Sequence, residues 1–271
     1  MREPATAETG VGARRVAYRG GVFLPETRRA AGATALLALI ALWQLASSLG
    51  WMSPVFAPSP AEVGEALWRM GVSGELVGHL KASLARLLVG FAIGGTAGVA
   101  FGLAVGLSSL VRAPGVTLVS ALFPIPKIAL LPLFILWFGI GEGSKVATIA
   151  FGTFFPTVIA TYGAVDNVDR SLVRMGRSFG LSQAAIVWKI IFPGALPGIL
   201  SGLRIASSIG IVLLVAAEMI GASQGVGALV LSAGNLMQSD RLLAGVVVLS
   251  LVGLTLSAFL GLAEKRLLAW R

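Results

Sequence analysis

Apolar residues gather into runs of about twenty, separated by shorter stretches that carry most of the charge. A helix of that length crosses a hydrocarbon core of about 30 Å. The pattern predicts an all-α, polytopic membrane protein with six transmembrane helices over residues 31–49, 84–107, 116–138, 145–164, 199–220 and 243–263. Residues 1–30 are polar and dotted with arginine, without the short apolar core of a secretory signal. They read as a flexible cytoplasmic tail, leaving 31–271 as one six-helix transmembrane domain.

The links between runs set an orientation. Arg112 lies between the second and third runs, and Arg170, Arg174, Arg177 and Lys189 lie between the fourth and fifth. The opposite links are poorer in basic residues for their length: 50–83 balances Arg69 and Lys81 against Glu62, Glu65 and Glu75, and 221–242 has Arg241 beside Asp240. Positive charge collects on the cytoplasmic side, so both termini are expected inside. The 50–83 link opens Pro-rich and turns amphipathic around AEVGEALWRM, which predicts a short helix at the outer interface with Trp51 and Trp68 near the headgroups.

Composition agrees. Only 12% of the 271 residues are charged, and mean hydropathy is +0.89. A net charge of +9 on a soluble protein would suggest nucleic acid. Here the basic residues sit at the ends of apolar runs, so no nucleic-acid partner is expected. With no cysteine there is no disulfide framework, and His79, alone, cannot build a metal site and reads as a surface residue.

Inside the runs, Gly90, Gly94, Gly98, Gly102 and Gly106 recur every fourth residue and form one stripe on a helix. Such a stripe bares the backbone for close approach of a neighbouring helix, or for a solute groove. The third run holds Pro124, Pro126 and Pro132, which predicts an interior, kinked helix whose freed carbonyls are satisfied by protein or water. Lys127 in that run, with Arg204 and Glu218 in the fifth, are ionisable residues within apolar sequence. Residues of that kind face a cavity or one another. Lys127 and Glu218, with Pro132 on the kinked run, are therefore candidates to line a cavity through the bundle, with a Lys127–Glu218 ion pair as the other reading, while Arg204 is expected to snorkel to the inner interface.

GIGEGSKVAT, from Gly139, looks like a phosphate loop but has Ser144 before Lys145 and Val146 after it, so it reads as a turn. No nucleophile, base and orienting acid can be assembled, and enzyme chemistry is not expected of this chain.

The informative link is DRSLVRMGRSFGLSQAAIVWKIIFPGALPG, from Asp169. Leu172, Met175 and Phe179 form an apolar ridge at helical spacing, and Arg170, Arg174 and Arg177 a basic one. Gly180 can end this helix in the left-handed conformation and Ser182 can cap a second one running to about Ile191, before Pro193 and Pro197 start the next span. A helix-turn-helix of this kind suits either anionic membrane lipid or a soluble partner.

The spacing of Gly180, nine residues, Ile190, one residue, then Phe192–Pro193 resembles the permease loop of bacterial ATP-binding cassette importers. That loop reads Glu-Ala-Ala, three residues, Gly, nine residues, Ile, one residue, Leu-Pro. LPLFILWFGIGEGSK (131–145), FPGALPGILSGLRIA (192–206), LVAAEMIGASQGVG (214–227) and the ending AEKRLLAWR are similar to the branch that handles nitrate, sulfonates and taurine. The resemblance runs from about residue 35 to the C-terminus. This chain departs in having Arg174, Met175 and Gly176 in place of Glu-Ala-Ala, and Phe192 in place of Leu.

The resemblance implies a permease in the bacterial inner membrane, two copies of which form a pathway for a small anionic solute. A cytoplasmic ATPase dimer would dock on the loop at about 165–198, and an extracytoplasmic binding protein would deliver the solute. ATP and Mg would be used by the ATPase, with no cofactor bound by this chain. Gly180, Ile190 and Pro193 match the loop pattern directly, and Arg174, Met175 and Gly176 match it by position. Arg177, Phe179, Ser182, Ala184 and Ala185 complete the expected docking surface. Arg174 reverses the charge of the family's carboxylate, so an acidic or neutral partner surface is expected opposite it.

Overall fold

The computed structural model describes residues 29–51, 53 and 55–269. The expected tail therefore lies outside the described residues, except that Arg29 and Ala30 already begin a helix. Among the described residues the chain forms helices and turns, without a strand.

Helices α1 (Arg29–Ser48) and α2 (Pro60–Val72) precede the bundle. The bundle consists of α3 (Glu75–Leu107), α4 (Ser109–Leu122), α5 (Leu131–Phe138) and α6 (Glu142–Asp166). After α7 (Arg170–Ser178) and α8 (Gln183–Ile186) come α9 (Phe192–Gly221), α10 (Val226–Asn235) and α11 (Ser239–Leu267). Four stretches are long and apolar enough to cross a membrane: α3, α6, the run Gln183–Gly221 and α11. A fifth arises if α4 and Lys127–Phe138 count as one span. The apolar part of α1, Gly32–Ser48, has 17 residues. At 1.5 Å per residue it is about 25 Å long, a little short of a hydrocarbon core.

The bundle is built on close approach. The glycine stripe of α3 lies against α6, with Gly90 beside Ile149, Gly98 beside Thr157 and Gly106 beside Val165, so these two helices run parallel. A β-carbon on Gly94 would stand 2.2 Å from both the Ala150 carbonyl oxygen and Thr153 Oγ1, and one on Gly102 would stand 2.6 Å from Thr161 Cβ. The facing surface of α6 presents three fully buried threonines, Thr153, Thr157 and Thr161, and Thr148 is fully buried beside Ile149. Thr148, Thr153 and Thr157 return their hydroxyls to the carbonyl four residues back, at 2.7, 2.9 and 2.8 Å. Local bonding of this kind lets a polar side chain lie in an apolar interface. On the other side of α6, Gly198 and Gly202 of α9 pack on Ala164 and Ala160 in antiparallel sense.

Two expectations need correction. The third span is not one kinked helix: α4 and the following segment meet at 88°. Pro124 and Pro126 have no N–H for the carbonyls of Ser120 and Leu122, and the backbone leaves the helix between Phe123 and a single 3₁₀ turn at Lys127–Leu130. Nor does the second loop helix stop before Pro193. It passes through a π turn at Val187–Ile191, in which the Phe192 N–H donates to the Val187 carbonyl, and continues directly into α9. The widened turn accommodates the donor that Pro193 lacks.

The amphipathic helix expected in the 50–83 link is α2. It starts at a capping box in which the Glu62 N–H donates to Ser59 Oγ at 3.2 Å and the Ser59 N–H donates to Glu62 Oε2 at 2.6 Å. Its apolar face, Val63, Ala66 and Met70, packs on Leu229 and Ala244 rather than being left for lipid. Trp68 is exposed on the opposite side.

Candidate functional site

Two regions at opposite ends of the bundle carry the chemistry. The first is the loop after α6. Asp169 caps α7, its carboxylate accepting the Ser171 N–H at 2.7 Å. That bond to an exposed cap holds the carboxyl below the usual aspartate range. At the other end the Leu181 N–H donates to the Gly176 carbonyl at 3.0 Å and the Gly180 N–H to the Arg177 carbonyl at 2.9 Å. With Gly180 at φ +74°, this is a Schellman closure. Ser182 Oγ then accepts the Ala185 N–H at 3.3 Å and starts α8.

Gly176 is buried at the contact between the two loop helices, where a β-carbon would stand 2.7 Å from Ile190 Cδ1. Gly176 and Ile190, fourteen positions apart in sequence, thus meet. The two ridges of α7 point in opposite directions. Leu172, Met175 and Phe179 are 45, 51 and 79% exposed. Arg170, Arg174 and Arg177 line a cleft of about 360 Å³ with Gly106, Val165 and Ile191, under the ends of α3 and α6. Ala184 is exposed, Ala185 is half-buried, and Pro193 lies in the first turn of α9.

The second region is at the other end of the bundle. Glu218 of α9 is fully buried and Arg86 of α3 is 4% exposed. Arg86 Nη1 donates to Glu218 Oε1 at 2.7 Å and to the Gln224 carbonyl at 2.6 Å. Its Nε and Nη2 grip both oxygens of Glu142, at 2.5 and 2.6 Å, at the start of α6. Glu218 also accepts from Ser83 Oγ at 2.8 Å and from the Gly227 N–H at 2.8 Å. Ser83 Oγ in turn accepts the Val226 N–H at 2.8 Å. One guanidinium therefore ties α3, α6, α9 and the start of α10 together, with both buried charges paired and hydrogen-bonded.

His79 belongs to this cluster rather than to the open surface. Its Nδ1 lies 2.9 Å from the Gly225 carbonyl oxygen and 3.0 Å from the Gly225 nitrogen, against the turn before α10. Lys145 is buried too, donating to the Gly141 and Ile140 carbonyls at 2.9 and 3.3 Å, so the phosphate-loop lookalike is a clamped turn. Among the described residues, no group of His, Asp or Glu is arranged to hold a metal.

The ion pair weighed between Lys127 and Glu218 does not form, because Glu218 is committed to Arg86. Lys127 lies at the break after α4, where its Nζ donates to the Phe123 carbonyl and sits 4.8 and 5.2 Å from the ring centroids of Phe123 and Phe155. Pro132 is in the first turn of α5. Arg204, in the middle of α9, pairs with Glu264 near the C-terminal end of α11. Arg86, Ser83 and Glu142 escaped the sequence reading, although Arg86 stands within the apolar run 84–107 and could have been noticed for that reason alone.

A bundle of long apolar helices packed through glycine, with a helical loop beyond its ends, is the build of a polytopic membrane protein. The pattern of the family described as "binding-protein-dependent transport system inner membrane component" matches residues 94–269, and the chain belongs to that family. Over 232 residues it is 41% identical to the putative aliphatic sulfonates transport permease protein SsuC of Escherichia coli K12, covering 86% of this chain and 88% of that protein. It is 37% identical over 240 residues to the taurine transport system permease protein TauC of the same organism, covering 87% of each. The fold is shared with a subunit of the inward-facing methionine ABC transporter MetNI, at 20% identity and a TM-score of 0.61 over 71% of this chain and 95% of that one. An amino acid ABC transporter solved with histidines gives 18% identity and a TM-score of 0.56, over 74 and 97%.

Proposed function

We propose that this chain is the permease subunit of an ATP-driven importer for small organic anions of the sulfonate type. In this reading α1 and the broken α4–α5 element complete six spans, and both termini lie in the cytoplasm. Two copies enclose the pathway in the bacterial inner membrane, with lipid around them. A separate ATPase dimer, using ATP and Mg, docks on the loop at 165–198, and an extracytoplasmic binding protein delivers the solute to the opposite face.

The observation that carries this reading is the exposed ridge Leu172–Met175–Phe179, held at a fixed angle by the Gly180 closure and the Gly176–Ile190 contact. An apolar ridge on a short helix suits insertion into a groove of a soluble partner. The solute class follows the named specificities of the relatives at 41 and 37% identity.

The test is Gly180→Val. A β-carbon at Gly180 meets open space, so the penalty is conformational alone. A left-handed L-residue costs about 1–2 kcal/mol, and β-branching makes it worse. The variant is expected to insert normally and to lose both capture of the ATPase on an affinity-tagged permease and solute uptake. Uptake and capture at wild-type level would refute the docking role.

A further inference from the structure

Among the described residues, Lys127 is a cation that neither the outer network nor the loop uses. Lys127 lies where the α4–α5 element breaks, and its side chain packs against α6 beside Gly152 and Phe155. Helix α6 runs from Glu142 to Asp166, so Phe155 is at its midpoint, about 18 Å from either end. Lys127 is thus half-way through the bundle, as far from one interface as from the other. A lysine stem reaches only about 6 Å and cannot snorkel to water from that depth.

Among the described residues, no Asp or Glu lies within ion-pair distance of Lys127. The two carboxylates that reach into the outer bundle, Glu142 and Glu218, are both held by Arg86. The surroundings of Nζ are the Phe123 carbonyl and the rings of Phe123 and Phe155. One ammonium N–H is used by that carbonyl, which the helix break has freed, and two remain. Lys127 is partly exposed in the single chain, so its side chain can be reached from outside it.

We propose that Lys127 forms a transient anion site half-way across the membrane and takes the sulfonate group of the solute as it passes. This rests on the transport reading above and adds to it the residue that meets the charged end of the solute. A lone, unpaired ammonium beside aromatic rings suits transit. It offsets the cost of an anion at mid-depth, yet as a single point charge without a second basic group or bidentate fork it lets the anion go. Capping of the Phe123 carbonyl is the competing, purely structural role, and glutamine can also supply an amide donor there.

The experiment uses the whole complex, permease with ATPase and binding protein, in proteoliposomes with radiolabelled ethanesulfonate. Lys127→Gln keeps a donor and removes the charge; it is expected to lower the uptake rate about tenfold or more, while ATPase capture and basal ATP hydrolysis stay at wild-type level. Lys127→Arg, which keeps the charge, should remain within about threefold of wild type. Uptake by Lys127→Gln equal to wild type overturns the anion site and leaves the transport reading intact. A wild-type complex that neither captures an ATPase nor takes up a sulfonate overturns the transport reading, and this site with it. Should the Gln variant fail to assemble, acylation of Lys127 in the wild-type complex, followed by mass spectrometry, decides. Ethanesulfonate should slow that labelling and chloride at equal ionic strength should not; labelling that ignores ethanesulfonate refutes the proposal.

Discussion

Gly94→Ala tests whether the α3–α6 contact holds the bundle together. The added β-carbon would stand 2.2 Å from the Ala150 carbonyl oxygen and 2.2 Å from Thr153 Oγ1. Carbon–oxygen contacts settle near 3.3 Å, so the helices must part by about 1 Å. Rotamer changes cannot relieve the clash, because one of the two obstructing atoms is backbone. A gap of that size forfeits roughly a quarter to a half of the dispersion energy of each contact that opens. Overpacking of this severity costs about 3 kcal/mol, and the better helix propensity of alanine returns about 1. The net loss is about 2 kcal/mol, a factor of about thirty in the folding equilibrium. Gly64→Ala is the internal control. It lies on the exposed side of α2 with nothing within 4 Å, and should gain about 0.5–1 kcal/mol. Reversible SDS unfolding in mixed micelles, followed by tryptophan fluorescence, measures both. Equal shifts for the two variants, or a Gly94→Ala protein as stable as wild type, would refute the argument that this interface depends on backbone contact.

Two further outcomes follow from the polar groups. Arg86→Leu strands the buried Glu218 carboxylate and should cost about 3–5 kcal/mol in the same unfolding assay, while the double change with Glu218→Leu should recover most of it; a double variant no better than the single one contradicts the pairing. At Asp169 the carboxyl is depressed by the Ser171 N–H, so the cap on α7 is present at neutral pH and is lost as pH falls through the lowered value. Hydrogen exchange across 169–178, corrected for intrinsic rate, should show α7 loosening only at acid pH, and Asp169→Asn should remove that dependence while keeping the cap.

Much of this architecture could be read from residue spacing. The glycine stripe, the two-ridged loop helix and the left-handed turn at Gly180 are all local periodicities, and each has a direct structural counterpart. What local spacing could not deliver were pairings across more than a hundred positions, as between Arg86 and Glu218. Glu218 was noticed because it interrupts a long apolar run, whereas Arg86 stands near the start of one and passes as flanking charge. The threonine row of α6 stayed hidden for another reason: threonine is neither charged nor strongly polar, and its role appears only when the facing glycines are in place. The prolines misled in opposite directions. Two of them, at 124 and 126, broke a span where a kink was expected, while Pro193 was absorbed by a π turn where a break was expected. Sequence gives the missing donor, but neighbouring contacts decide how the chain responds.

The unbroken run Gln183–Gly221 has a mechanical meaning. Its 39 residues make a rod of about 58 Å with the Ser182 cap at one end and Glu218 near the other. A tilt of about 5° imposed at the loop swings the far end by about 5 Å, one helical turn. That end is bolted through Arg86 to α3 and α6, so the displacement reaches both at once instead of being lost in a flexible joint. The π turn at Val187–Ile191 and Pro197 interrupt the regular bonding of the rod, and their stiffness limits how much of a push at one face of the membrane arrives at the other.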